Sequence, residues 1–177
     1  MQSSNGENIE GEKGMDHLWL LTEERPKPSV VYQIVVMYCQ DFGDRVTKCS
    51  DIKIKPIIRD GIFQFLYKVE GLSVGNAAEI YIKTVSGNSS FLDFLLFKQE
   101  DVPTEGNGGD NLIMAIEETK TSDDESRNTG VYQRGSKFVY ITPYYNNVKL
   151  YMLYNEELEA REEKNPLIQV CLAQIFC

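Results

Sequence analysis

The run Leu112-Ile113-Met114-Ala115-Ile116 ends abruptly in Glu117-Glu118-Thr119-Lys120, and few folds satisfy both halves. Five consecutive apolar residues belong in a core, whereas the charges that follow need water or partners, so the segment reads as a core strand whose end reaches the surface. Side chains alternate along a strand, which puts Glu118 and Lys120 on one face and Glu117 on the other. Upstream, the apolar run Phe91 to Phe97 contains Asp93, and the Gly- and acid-rich connector Gln99 to Asn111 joins the two runs. Two neighbouring strands would bring Asp93, Glu118 and Lys120 together. Such a set offers two carboxylates to a divalent cation and one ammonium to a phosphate or an attacking water.

The chain has 177 residues with 42% apolar content, enough for one domain with a core. Its net charge of −9 argues against non-specific coating of nucleic acid, which rests on excess Lys and Arg, so any DNA contact has to use a local basic surface. Cys39, Cys49, Cys171 and Cys177 form no CxxC pair and read as free thiols. His17 is the single histidine, which argues against His-metal, Cys/His and Ser/His chemistry. The polar segment 1–14 lacks the basic and apolar regions of a signal peptide and reads as a disordered tail. No apolar stretch has the length of a membrane span, so a cytoplasmic protein is expected, with residues 15–177 as one domain, which the abrupt apolar finish Ile175-Phe176-Cys177 suggests is part of a longer chain.

Met15 to Thr22 is apolar enough to dock, and Glu23 to Pro28 is a charged, proline-broken connector. Val30 to Cys39 is rich in β-branched residues, yet its apolar positions also recur at helical spacing, so strand and helix both fit. Ile52 to Val69 alternates around the turn signal Asp60-Gly61 and predicts a β-hairpin. Lys53, Lys55 and Arg59 give that hairpin a small basic strip, suited to phosphates or to protecting an edge strand. Ala77 to Val85, Phe91 to Phe97 and Leu112 to Glu118 continue as strands, predicting an antiparallel meander from Ile52 to Glu118. Thr121 to Ser126 suits a helix N-terminus, Lys137 to Thr142 and Val148 to Tyr154 read as two further strands, and Glu156 to Lys164 reads as the end of a charged helix.

These pieces resemble the PD-(D/E)xK nuclease superfamily, which includes many type II restriction endonucleases. The matching parts are Leu92-Asp93 at the head of one strand, Glu118-Thr119-Lys120 at the end of the next, and Thr121 to Lys137 in place of the following helix. Leu92 stands where the pattern commonly has proline. The resemblance implies an α+β fold with a central mixed β-sheet flanked by helices, and it favours a helix over 30–39, before the first strand. It also implies Mg²⁺ held by Asp93, Glu118 and the Thr119 carbonyl, with Lys120 orienting or helping to deprotonate the water. Glu79, on an earlier strand, and Glu117, more suited to solvent or to supporting the site, are further candidate acids.

The implied activity is Mg²⁺-dependent cleavage of double-stranded DNA by a homodimer, two sites cutting two strands. Arg127, Asn128, Gln133, Arg134 and Lys137 follow the site and carry donors suited to phosphates and base edges. Tyr140, Tyr144, Tyr145, Tyr151 and Tyr154 read first as packing residues. The competing expectations are a non-catalytic α+β interaction module with ordinary surface charges at these positions, and a nuclease of the same fold acting on RNA or in repair.

Overall fold

The segment that fits both patterns folds as a helix. In the computed structural model, which describes residues 15–85, 92–104, 110–119, 134–141 and 147–154, Val30 to Cys39 lies within α1 (Pro28–Phe42). Pro28 sits in the first turn, where an N–H would lack a helical partner anyway. Val31, Ile34, Val35 and Tyr38 recur at helical spacing and are buried. Lys27 at the N-cap makes no side-chain capping bond, and neither terminal turn carries a charge that would favour the helix dipole. Burial of one face, more than capping, therefore holds α1 in place.

That helix follows a strand rather than preceding the first one. The docking segment is β1 (His17–Thr22), and every residue from Leu18 to Thr22 is buried. A strand apolar at consecutive positions needs cover on both faces, which only the middle of a sheet supplies. Six further strands complete a seven-stranded sheet: β2 (Val46–Arg59), β3 (Ile62–Val74), β4 (Ile80–Thr84), β5 (Phe94–Gln99), β6 (Leu112–Thr119) and β7 (Lys149–Tyr154). Their order is β2-β3-β4-β1-β5-β6-β7. The expected meander is thus broken, because β1 inserts between β4 and β5, parallel to the first and antiparallel to the second. The sheet is mixed, as expected, and β5 and β6 are antiparallel neighbours, with Phe94 opposite Ile116.

Lys137 to Ile141 does not form the strand expected over 137–142. Ser136–Tyr140 is a 3-10 helix, and Phe138 and Ile141, three residues apart, are buried. The cause is topological: β7 runs parallel to β6, so the chain between them must cross over a face of the sheet. Phe138 and Ile141 join Trp19, Leu21, Leu95, Phe97, Ala115 and Met152 in that face's cluster. On the opposite face α1 packs with Leu18, Leu20, Ile82, Phe94, Leu96, Met114, Ile116 and Tyr151.

The β2–β3 hairpin is longer than the alternation alone suggested. Asp60 and Gly61 have φ of 54° and 73°, positive at both positions as a two-residue turn matching the strand twist requires. Farther along, the register jumps from Lys48 opposite Leu72 to Lys53 opposite Glu70, leaving Cys49 to Ile52 looped over Gly71. Gly71 has φ of 83°, and a Cβ there would stand 2.4 Å from the Asp51 carbonyl oxygen. Gly71→Ala should consequently lower stability by more than the ~1–2 kcal/mol of a left-handed backbone alone, read as a lower urea midpoint. An unchanged midpoint would show that the 49–52 loop yields freely.

Candidate active site

The directions of pairing put the C-terminal ends of β1, β4, β6 and β7 and the N-terminal end of β5 at one end of the sheet. There the core strands run out and the chemistry-bearing residues begin. A cleft of about 380 Å³ opens at this end, lined by Thr22 to Lys27, Val30, Asp93, Phe94 and Glu118. Asp93 and Glu118 therefore share one cavity. The backbone N–H of Glu118 donates to Asp93 Oδ2 at 2.6 Å, which fixes the aspartate against the end of β6. Strand pairing brings this about: Phe94 lies opposite Ile116, so the residue before one and those after the other meet beyond the last paired row.

The Glu23 to Pro28 connector forms one wall of the cleft, contributing Glu23, Glu24, Arg25 and Lys27 beside the N-terminal end of α1. This wall has no counterpart in the sequence reading. The clue was the density of charge between β1 and Pro28, with no apolar residue other than proline to bury.

Behind the cleft, on the opposite face of β6, Glu117 is fully buried. The sequence reading put it on that face but facing solvent or supporting the site, and the cover of the crossover segment is what encloses it. Its Oε1 accepts from Lys137 Nζ at 2.6 Å and lies 3.3 Å from Arg134 Nη1. Its Oε2 is buried with no hydrogen-bond partner. Arg134 also donates to the Glu118 carbonyl oxygen and stands 3.9 Å from Asp93 Oδ2. The two cations thus tie the crossover to the strand end that carries Glu118. Burial pushes the Glu117 carboxyl above the ordinary carboxylate range, outweighing the Lys137 hydrogen bond that pulls it down.

The remaining candidates fall into three groups. Arg134 and Lys137, expected at DNA, direct their cations at Glu117 while about a third of each side chain stays exposed. Thr119 closes β6 opposite Tyr154. Glu79 precedes β4 at the far end of the sheet from the cleft, where Lys68 and the Tyr81 hydroxyl both donate to it and hold its carboxyl below the usual range. Lys120, Arg127, Asn128 and Gln133 lie outside the described residues, as do the proposed helix beginning at Thr121 and Tyr144, Tyr145, Cys171 and Cys177.

Among the described residues no three His, Cys, Asp or Glu side chains are grouped to hold a metal ion. Asp93 and Glu118 are nonetheless the oxygen donors that Mg²⁺ takes, and such sites commonly use only one or two carboxylates, completed by water and substrate phosphate. Cys39 is buried, with its thiol pushed up to about 11 by burial and by Asp44, which disfavours a nucleophilic thiolate. His17 begins β1, at the end of the sheet away from the cleft, with its ring edge-on to Tyr81. No helix among the described residues is long and apolar enough to cross a membrane. No protein-family model, curated protein or solved structure matches the chain.

The raised Glu117 carboxyl sets a sign for stability against pH. The folded state holds this proton more tightly than the unfolded state, so its contribution is present below about 4.5, the ordinary value, and is lost as pH rises through the folded-state pKa. Glu117→Gln lacks this loss and should gain on the wild type as pH rises, read from urea midpoints between about pH 4 and pH 8. A wild type that gains on the variant over that window would show that Lys137 and Arg134 outweigh burial.

Proposed function

We propose that the protein is a Mg²⁺-dependent endonuclease hydrolysing phosphodiester bonds of double-stranded DNA, with a core like that of the type II restriction enzymes. The observation that carries this reading is the meeting of Asp93 and Glu118, from adjacent antiparallel strands, in one cleft whose opposite wall bears Arg25, Lys27 and a helix N-terminus. The strand ends bring two acids, and the connector wall brings Arg25, Lys27 and a positive helix end together with Glu23 and Glu24, a mixed lining that can take a cation and a phosphodiester side by side.

Asp93 and Glu118 would hold the Mg²⁺, with the Thr119 carbonyl as the third oxygen of the reading. When bound, the ion supplies neutralisation of phosphate charge and a water of lowered pKa. Asp93 is kept in place by the Glu118 N–H, and Arg134 holds the Glu118 carbonyl, so the aspartate and the backbone that carries Glu118 are fixed before substrate arrives. Arg25 and Lys27 receive the phosphate from the other wall. Lys120, two residues beyond Glu118, positions the attacking water. A homodimer provides two such clefts for two strands, and Lys137 and Arg134 serve first to neutralise Glu117.

A second reading has two observations in its favour. Asp93 already accepts a backbone N–H, and the described residues hold no group of three metal ligands, which suits a non-catalytic module with a structural ion network. Cleavage of varied duplexes separates the two. Asp93→Asn and Glu118→Gln should each lower Mg²⁺-dependent cleavage by on the order of 10²-fold or more while keeping metal-free DNA binding. Variants that cut as well as wild type, or cutting undiminished in EDTA, would overturn the nuclease reading. A wild type that neither binds Mg²⁺ nor cuts any duplex would favour the module.

A further inference from the structure

The tip of the β2–β3 hairpin carries large exposed apolar side chains, and among the described residues nothing covers them. Ile58 is 63% exposed, Ile62 64%, Phe63 37% and Phe65 48%. The rings of Phe63 and Phe65 stand 5.1 Å apart and Ile58 is paired opposite Phe63, so these three form one cluster, with Ile62 on the other face of the tip. With side chains of roughly 200 Å² each, the fractions of Ile58, Phe63 and Phe65 leave on the order of 300 Å² of apolar surface on one face, the size of a patch with a function.

The location of the tip narrows that function. β3 pairs with β4 only from Leu66 to Lys68, so Ile62 to Phe65 and the facing end of β2 continue past the sheet as a two-stranded ribbon. The ribbon leaves at the end of the sheet where the cleft opens, since Leu66 faces Lys83, next to the C-terminal end of β4, and β4 runs parallel to β1. Three to four residues at about 3.3 Å each project it roughly 10–13 Å, and three strand spacings set it about 14 Å to the side of Asp93. Both lengths are below the width of a DNA duplex. Phe65, at the exit, has φ of 58°, a left-handed backbone rare for an aromatic residue.

Charge and edge chemistry select among partners. From Lys53 to Phe65 the hairpin bears Lys53, Lys55 and Arg59 against the single acid Asp60, in a chain of net charge −9. Lys55 pairs with Glu70, and the side chain of Lys53 is exposed. Addition of a second chain to the β2 edge is opposed by Pro56, which has no N–H to offer, by the register shift between Pro56 and Ile58, and by the two edge lysines.

We propose that this ribbon is a DNA-binding arm: it reaches into a groove of the duplex whose backbone lies at the cleft, its apolar tip meeting bases and sugars and its cations meeting phosphates. A B-form groove admits a two-stranded ribbon, and Phe and Ile are side chains that wedge against base steps. The inference rests on the nuclease reading for its partner and extends it to a surface 14 Å, or about three strands, from the cleft.

The experiment measures binding of a labelled duplex pool of randomised sequence in EDTA, so that cleavage plays no part. Ile62→Ser combined with Phe63→Ser should weaken binding about 10-fold or more, and Lys53→Gln with Arg59→Gln should flatten the dependence of log K on log salt by about two. Phe65→Asn repeats the test with a residue that tolerates the left-handed backbone, guarding against a variant that fails to fold. Tip variants that bind the duplex normally overturn the arm and leave the nuclease reading standing, whereas Glu118→Gln cutting normally with Mg²⁺ overturns that reading and leaves the arm's binding result intact. A wild type that binds no duplex at low salt overturns the arm. A tip variant whose sedimenting mass falls from two chains to one assigns the patch to a second copy and overturns it as well.

Discussion

A carboxylate buried at the end of a core strand is unfavourable unless compensated, and the end of β6 is organised around that constraint. Glu117 is enclosed on the second face of the sheet, and Lys137 and Arg134 reach it from the crossover that leads to β7. Removing one partner of a buried charge pair leaves the other charge stranded, so the pairing is stronger as a constraint on geometry than as a source of net stability. Here the geometry it constrains belongs to the neighbouring residue. Arg134, drawn in by Glu117, also holds the Glu118 carbonyl and approaches Asp93.

Two faces of one strand thereby divide the work. Alternation sends Glu117 into the apolar cluster that Phe138 and Ile141 close, and sends Glu118 toward the cleft. The same crossover that covers the second face supplies the cations, so burial and charge compensation come from a single piece of chain. On the first face α1 has the corresponding role: its buried side seals the sheet, and its N-terminal end stands at the cleft wall with Arg25 and Lys27.

The hairpin adds a different element, a ribbon that leaves the sheet at the cleft end with its apolar tip uncovered. Its edge carries proline, lysines and register shifts, features that resist strand addition. The same hairpin thus guards its edge and leaves phenylalanine and isoleucine exposed at its tip.

Much of this was legible in the residues. Asp60-Gly61 between alternating runs determined a hairpin, because only a few turn types join twisted strands through two residues. The runs that hold Asp93 and Glu118 determined two strands, and the fold pairs them as antiparallel neighbours, as expected. The periodicity of Val30 to Cys39 fitted helix and strand alike, and packing against the sheet decided it. The insertion of β1 between β4 and β5 was hidden because strand order is a long-range matter on which local pattern is silent. Lys137 to Thr142 was misread for a related reason: its residues suit a strand, but the parallel pairing of β6 and β7 requires a crossover there. The sequence by itself determined which side chains carry charge and on which face of β6 each glutamate falls, since alternation is local. Only the tertiary structure decided that Glu117 is buried, that Arg134 and Lys137 turn inward to it, and that Glu79 stands at the far end of the sheet, because burial and charge pairing depend on segments distant in the chain.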